Sequence, residues 1–171
     1  MSINEEKLAA MFSSDILDII THYRTCEFAT LSKSSRPTAH PVTPWYRVGM
    51  DHILVTTSLG FPQKIYNIRR NPKVSLLFSN PTASGITSGA MVAIQGDATL
   101  DEELARVETL EDYWRQLYRW QPASKAYCKT ALSRYLFDWY YMRVRIYIRP
   151  QRLFYWSNGD FSQNPETITF S

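Results

Sequence analysis

Arg143-Val144-Arg145-Ile146-Tyr147-Ile148-Arg149 is the stretch that decides the fold class. Val144, Ile146 and Ile148 fall on one face of an extended chain, and Arg143, Arg145, Tyr147 and Arg149 on the other, because successive side chains of a strand point to opposite sides. The strand reads from Met142 to Trp156. An apolar face backed by a polar one is what the wall of a small barrel shows, with the polar side left for solvent or an interface.

Outward from this strand, Asp101 to about Tyr140 reads as one or two helices. Asp101-Glu102-Glu103 puts acids where a helix start favours them, and Pro122 divides the segment. Met91 to Leu100 reads as a strand in which Gly96 marks a bulge or a close backbone approach. Val74 to Phe78 is another strand, preceded by a short helix from Gln63 to Arg70 that Asn71-Pro72 stops. His52 to Thr57 is rich in β-branched residues. Thr38 to Val48 carries Pro41 and Pro44, which cannot donate to a ladder, so this strand must be bulged or open on one side. Phe28 to Leu31 is the first strand. Before it, Leu8, Met11, Phe12, Ile16, Ile19 and Ile20 recur at helical spacing, and Ser13-Ser14-Asp15 supplies N-cap chemistry that allows two short helices as well as one. The expectation is a mainly β fold with added helices: a six-stranded barrel with an N-terminal helix, a short helix after strand 3 and a helical insertion before the last strand. Residues 1–171 form one domain on this reading.

Composition narrows the function. Hydrophobic residues make up 44% and charged residues 20%, which suits a folded soluble domain. No apolar run approaches the ~20 residues of a membrane span, and the acidic, polar MSINEEKLAAMF start leads us to expect a cytoplasmic protein. Cys26 and Cys128 stand far apart, and His22, His40 and His52 are scattered, so neither a metal site nor a disulfide framework is expected. With 11 Tyr, 8 Phe and 5 Trp, the chain has more aromatics than one small barrel core needs; flat-ligand stacking and a subunit interface would use them. Between Tyr113 and Arg152, nine basic residues (Arg115, Arg119, Lys125, Lys129, Arg134, Arg143, Arg145, Arg149 and Arg152) face one acid, Asp138. Such a stretch is either a solvated face or an anion site.

Glycine-rich phosphate loops, serine elbows and paired zinc histidines do not occur in the sequence. One segment has the makings of a site, Val55-Thr56-Thr57-Ser58-Leu59-Gly60-Phe61-Pro62-Gln63-Lys64. A strand delivers three hydroxyls, a short loop turns, and Lys64 opens a helix. Helix-start amides, hydroxyls and an ammonium converging on one place can hold a phosphate.

The run Phe28-Ala29-Thr30-Leu31, Pro37, His40-Pro41-Val42, Thr56-Thr57, Lys64 and Asn67-Ile68-Arg69-Arg70-Asn71-Pro72-Lys73-Val74-Ser75-Leu76 resembles the pyridoxamine 5′-phosphate oxidase-like superfamily. Gln95 to Leu100 and Pro150 to Trp156 fit it as well. The resemblance implies a split β-barrel that works as a homodimer and binds FMN in clefts between subunits. Carried over by position, it assigns cofactor contacts to His40, Pro41, Val42, Thr43 and Trp45 on the second strand, to Thr56, Thr57 and Ser58 on the third, to Gln63 and Lys64 at the following helix, and to Trp156. His40 and Trp45 stand where the true oxidase has an arginine and a lysine, and Asn158-Gly159-Asp160-Phe161-Ser162 replaces its carboxy-terminal substrate signature. The resemblance therefore implies a relative that does not oxidise vitamin B6: a flavin-dependent oxidoreductase or flavin reductase acting on an unknown small molecule. No catalytic residue is assigned. Relatives of the same fold bind a deazaflavin coenzyme or haem, which are the alternatives. A non-catalytic protein binding nucleic acid along Arg143, Arg145, Tyr147 and Arg149 is a third reading, ranked below the others.

Overall fold

In the computed structural model, which describes residues 8, 10–101, 103–105, 110–122, 124 and 130–170, seven antiparallel strands share one sheet. They are β1 (Cys26–Leu31), β2 (Pro37–Val42), β3 (Ile53–Ser58), β4 (Lys73–Phe78), β5 (Met91–Leu100), β6 (Arg143–Trp156) and β7 (Glu166–Thr169). The order is β2-β1-β4-β5-β6-β3, with β7 paired to the far half of β6. β2 and β3 end the order without pairing to each other, so the sheet curls but stays open: a split barrel. Five helices accompany it among the described residues: α1 (Ser14–His22), α2 (Gln63–Arg70), α3 (Glu111–Trp120), α4 (Ala131–Leu136) and α5 (Asp138–Tyr141).

The alternation in β6 has its physical counterpart. Ile146 and Ile148 are buried in the barrel core with Phe28, Ile53, Val55, Leu76, Phe78 and Ile94, and Val144, on the same face, is buried next to them in sequence but outside that cluster. α1 closes one end of this core with Ile16, Ile19 and Ile20, and Ser13 caps it by accepting a hydrogen bond from the Ile16 amide. Each such side chain contributes about 1.5–3 kcal/mol on full burial. The prolines of β2 sit on an edge strand, where a missing donor costs no ladder bond. The strand ends at Val42, short of Val48: Pro44 follows, and only Trp45 bridges back, to Leu54.

Two further readings change. No helix starts at Asp101; its Oδ1 accepts from the Glu103 amide in a turn, and Ala105 then bridges to Arg143. Among the described residues, the insertion's first α-helix begins at Glu111. β7 adds a seventh strand that alternation does not reveal, since its four residues are largely exposed. Lys125, Cys128 and Lys129 lie outside the described residues. Cys26 is buried at the start of β1, in inert surroundings, with burial pushing its thiol pKa well up.

The register of β5 against β6 shifts between Gln95 and Gly96, the bulge that Gly96 signals. A Cβ at Gly96 would stand 2.3 Å from the Arg149 carbonyl oxygen. Gly96→Ala is expected to destabilise the fold by about 1–3 kcal/mol, since the contact is backbone and cannot swing aside. Thermal unfolding checks this; an unchanged midpoint would show that β6 gives way at no cost.

Candidate functional site

β3 and the start of β6 run antiparallel, with Thr56 opposite Arg145 and Ser58 opposite Arg143. Their outward face, polar by sequence, is covered by α3. The helix is amphipathic and turns Tyr113, Trp114 and Leu117 inward, where they join Leu54, Leu110 and Tyr141 in a second apolar cluster. Trp114 packs against Tyr113, Tyr118, Tyr140 and Tyr141 at centroid distances of 5.3–6.1 Å. Much of the aromatic excess is spent here, inside one chain.

Between β3, β6 and α3 lies a cavity of about 270 Å³. Pro41, Val42 and Thr43 line one side, Thr56, Thr57, Ser58 and Lys64 another, and Tyr113, Gln121, Tyr140 and Arg143 close it. Seven of the eleven predicted contacts thus meet in one place. Two cations enter the cavity, and no carboxylate lines it among the described residues. Burial, and then the charge of Arg143, holds the Lys64 ammonium below its ordinary pKa, the mark of a cation lacking a counter-ion.

Sequence reasoning left Arg143 in a basic stretch that is either a solvated face or an anion site and did not count it among the cofactor contacts. It is buried, its guanidinium 4.9 Å from the Trp114 ring centre and 4.4 Å from that of Tyr140. Its Nε is buried with no hydrogen-bond partner. Unmet buried donors cost stability, and the residue that carries this one lines the cavity, where an anion would meet its guanidinium charge. The signal in the sequence was the basic stretch between Tyr113 and Arg152, which allowed an anion site but did not single out Arg143.

The hydroxyls do less than their spacing suggests. Thr57 Oγ1 donates to the Phe61 carbonyl at 3.1 Å and Ser58 Oγ to the Trp139 carbonyl at 2.9 Å. Thr56 Oγ1 donates to Tyr113 Oη at 3.0 Å, which leaves the Tyr113 hydroxyl proton for the cavity. Gln121 Nε2 donates to Thr43 Oγ1 at 2.9 Å and pins α3 to the loop after β2. The donors open to a ligand are therefore Lys64, Arg143 and Tyr113, together with the first amides of α2, which have no intrahelical acceptor.

The other four predicted residues lie elsewhere. His40 sits mid-β2 opposite Phe28. Gln63 donates to Asn67 Oδ1 at 3.0 Å, within a network in which Asn67 ties α2 to Thr30 and Thr38. Trp45 lines a separate cavity, under the Arg47 guanidinium. Trp156 ends β6, its ring 4.9 Å from that of Phe161 and its Nε1 donating to the Gln163 carbonyl. The length of β6, on the order of 40 Å along the strand, separates it from Arg143.

Arg145 pairs with Asp101 at 2.6 Å and Arg149 with Asp51 at 3.5 Å. With Arg143 buried, the alternating arginines of β6 are engaged within the chain and do not form the open phosphate track that a nucleic-acid face requires. Among the described residues no group of three or more His, Cys, Asp or Glu could hold a metal ion, and no helix is long and apolar enough to cross a membrane.

Comparison with known proteins bears on the same region. A family model described as pyridoxamine 5′-phosphate oxidase matches residues 12–156. No curated protein matches the chain. Among solved structures, a conserved hypothetical protein from Mycobacterium tuberculosis is similar at 20% identity and a TM-score of 0.60, with 94% of each chain covered. A haem-binding protein from Mycobacterium smegmatis is similar at 18% identity and a TM-score of 0.56, over 89% of this chain and 56% of that one. A structure described as an F420 reductase shares 17% identity at a TM-score of 0.51, over 79% of this chain and 92% of that one. At these identities the likeness is one of fold.

Proposed function

The chain belongs to the pyridoxamine 5′-phosphate oxidase family, and from that premise we propose that it is an FMN-binding oxidoreductase or flavin reductase acting on a small molecule. The observation that carries the reading is the cavity lined by Lys64 and Arg143 and, among the described residues, by no carboxylate, with the Arg143 guanidinium Nε buried and unpartnered. A phosphate monoester supplies the missing acceptors. Lys64 and Arg143 would hold its charge, with Tyr113 and the α2 amides donating beside them. The cavity's 270 Å³ is below the usual range for a whole drug-sized ligand, so it suits the phosphate end of the cofactor. When bound, flavin supplies hydride or single-electron transfer; the chain's own part is to hold, orient and desolvate it.

Members of this family commonly dimerise. We read this protein as a homodimer because Trp156 and Arg143 stand at opposite ends of β6. If both touch one cofactor, two copies must supply them. The exposed Leu132, Tyr135 and Leu136 on α4 of the insertion offer apolar surface for such a contact. On the same reading the protein works in the cytoplasm, in keeping with Cys26 as a buried free thiol. Adding FMN is expected to quench tryptophan fluorescence, and Trp156→Phe to reduce that quenching. An unchanged amplitude would make Trp156 a packing partner of Phe161 alone.

The second reading keeps the fold and changes the cofactor to a deazaflavin or haem, and the names of two structural relatives favour it. Parallel titrations with FMN, F420 and haem separate the two. FMN is expected to bind most tightly; tightest binding by either of the others would replace it.

A further inference from the structure

The α3 helix covers a second cavity, of about 370 Å³, on the other side of Tyr113. Its walls are flat and aromatic, from Trp45, Tyr113 and Tyr147, with Leu54 and Leu110 adding apolar surface. The polar groups beside it are almost all spoken for. Asp101 takes the Arg145 Nη2 at 2.6 Å and the Tyr147 hydroxyl at 3.2 Å. Asp112 pairs with Arg47 at 3.1 Å and Glu111 with Arg115 at 2.7 Å. Asp51 takes His52 Nδ1 at 2.7 Å and lies 3.5 Å from Arg149.

Two functional groups are left over. The Nε of Arg145 is buried without a hydrogen-bond partner. His52, its ring edge-on to Tyr147 at 4.8 Å, commits Nδ1 to Asp51, so the neutral imidazole keeps a lone pair on Nε2. The hydrogen bond from His52 holds the Asp51 carboxyl below its ordinary pKa, which keeps it charged and able to stabilise an imidazolium. A guanidinium, a base and three aromatic rings, in a lining that is otherwise largely polar, suit a ring that carries a single acidic hydroxyl.

We propose that this cavity binds a planar phenol or enol as its oxyanion, with His52 taking the hydroxyl proton. The ligand O–H bond breaks, an Nε2–H bond forms on His52, and the charge left on oxygen is met by the imidazolium and the Arg145 guanidinium. Arg149, Glu111, Asp112 and Tyr113 also border this region, and each of the three charged groups among them already has an ion-pair partner. The assignment does not depend on which cofactor fills the first cavity.

The probe is 4-nitrophenol, whose phenolate absorbs visible light, added to cofactor-free protein at a pH just below the phenol's own pKa. The phenolate band is expected to grow saturably with wild-type protein. His52→Gln should abolish that growth and weaken binding by roughly tenfold or more, and Lys64→Ala should leave both intact. Trp45→Leu, which removes a flat wall and keeps the base, should weaken binding yet still convert what binds to phenolate. No growth with wild type, equal growth in His52→Gln, or loss in Lys64→Ala in place of His52→Gln would each overturn the proposal; the last would place nitrophenol in the cofactor cavity.

Discussion

Lys64→Ala is expected to weaken FMN roughly ten- to a hundredfold, because a hydrogen bond to a charged group is typically worth about 1.5–3 kcal/mol and each 1.4 kcal/mol is tenfold. Riboflavin has no phosphate, and its affinity should barely move. Paired titrations of the two ligands read this directly; equal losses, or none, would put the phosphate elsewhere. Stability gives an independent check. The folded state lowers the Lys64 pKa through burial and through Arg143, so charged Lys64 opposes folding of the ligand-free protein. That penalty is fully present below the lowered pKa and is relieved as pH rises from there towards the unfolded value. Lys64→Met should therefore leave ligand-free stability at neutral pH unchanged or raised while FMN affinity falls. A variant that lost both would have lost the fold.

Trp114→Ala carries the largest expected effect on stability. The indole is 2% exposed at the centre of the α3 cluster, with four tyrosines and the Arg143 guanidinium around it. Truncating such a side chain costs about 3–5 kcal/mol, which for a chain of this size lowers the melting temperature on the order of 10 °C. Arg143 also loses the ring that holds it, so FMN affinity should fall even where the variant is still folded. Trp114→Phe should cost far less, since it keeps an aromatic ring and removes an Nε1 that is buried without a partner. If the two substitutions cost the same, packing at this site is not what the cluster provides.

How far the sequence could be read follows from what alternation and propensity encode. The apolar face of β6, the edge position of a proline-bearing β2, the Gly96 bulge and the α2 helix are local consequences of residue order, and each was legible. The segment from Thr56 to Lys64 was equally local, so its hydroxyls and its lysine could be placed together. What that segment's chemistry consists of was not legible. Which hydroxyls are already spent depends on Phe61, Trp139 and Tyr113, the last two of them more than fifty residues away. Arg143 was left between a solvated face and an anion site because alternation reports only which side of a strand a residue takes, not whether α3 covers that side. The Asp51–His52 pair went unnoticed because a histidine beside an aspartate is common, and its surroundings come from β6 and α3. The early helix start at Asp101 failed for a related reason: a local carboxylate-to-amide turn and the pairing of Ala105 with Arg143 displaced the acid-rich signal.

The central claim is that the cavity between β3, β6 and α3 holds the phosphate end of FMN, and the most direct measurement is the visible spectrum of protein saturated with FMN and then passed through a desalting column. Flavin co-eluting at one per chain in wild type, and lost from a protein carrying both Lys64→Ala and Arg143→Met, is the predicted result. A wild-type protein that emerges colourless, or a doubly substituted one that retains flavin as well as wild type does, would contradict the account.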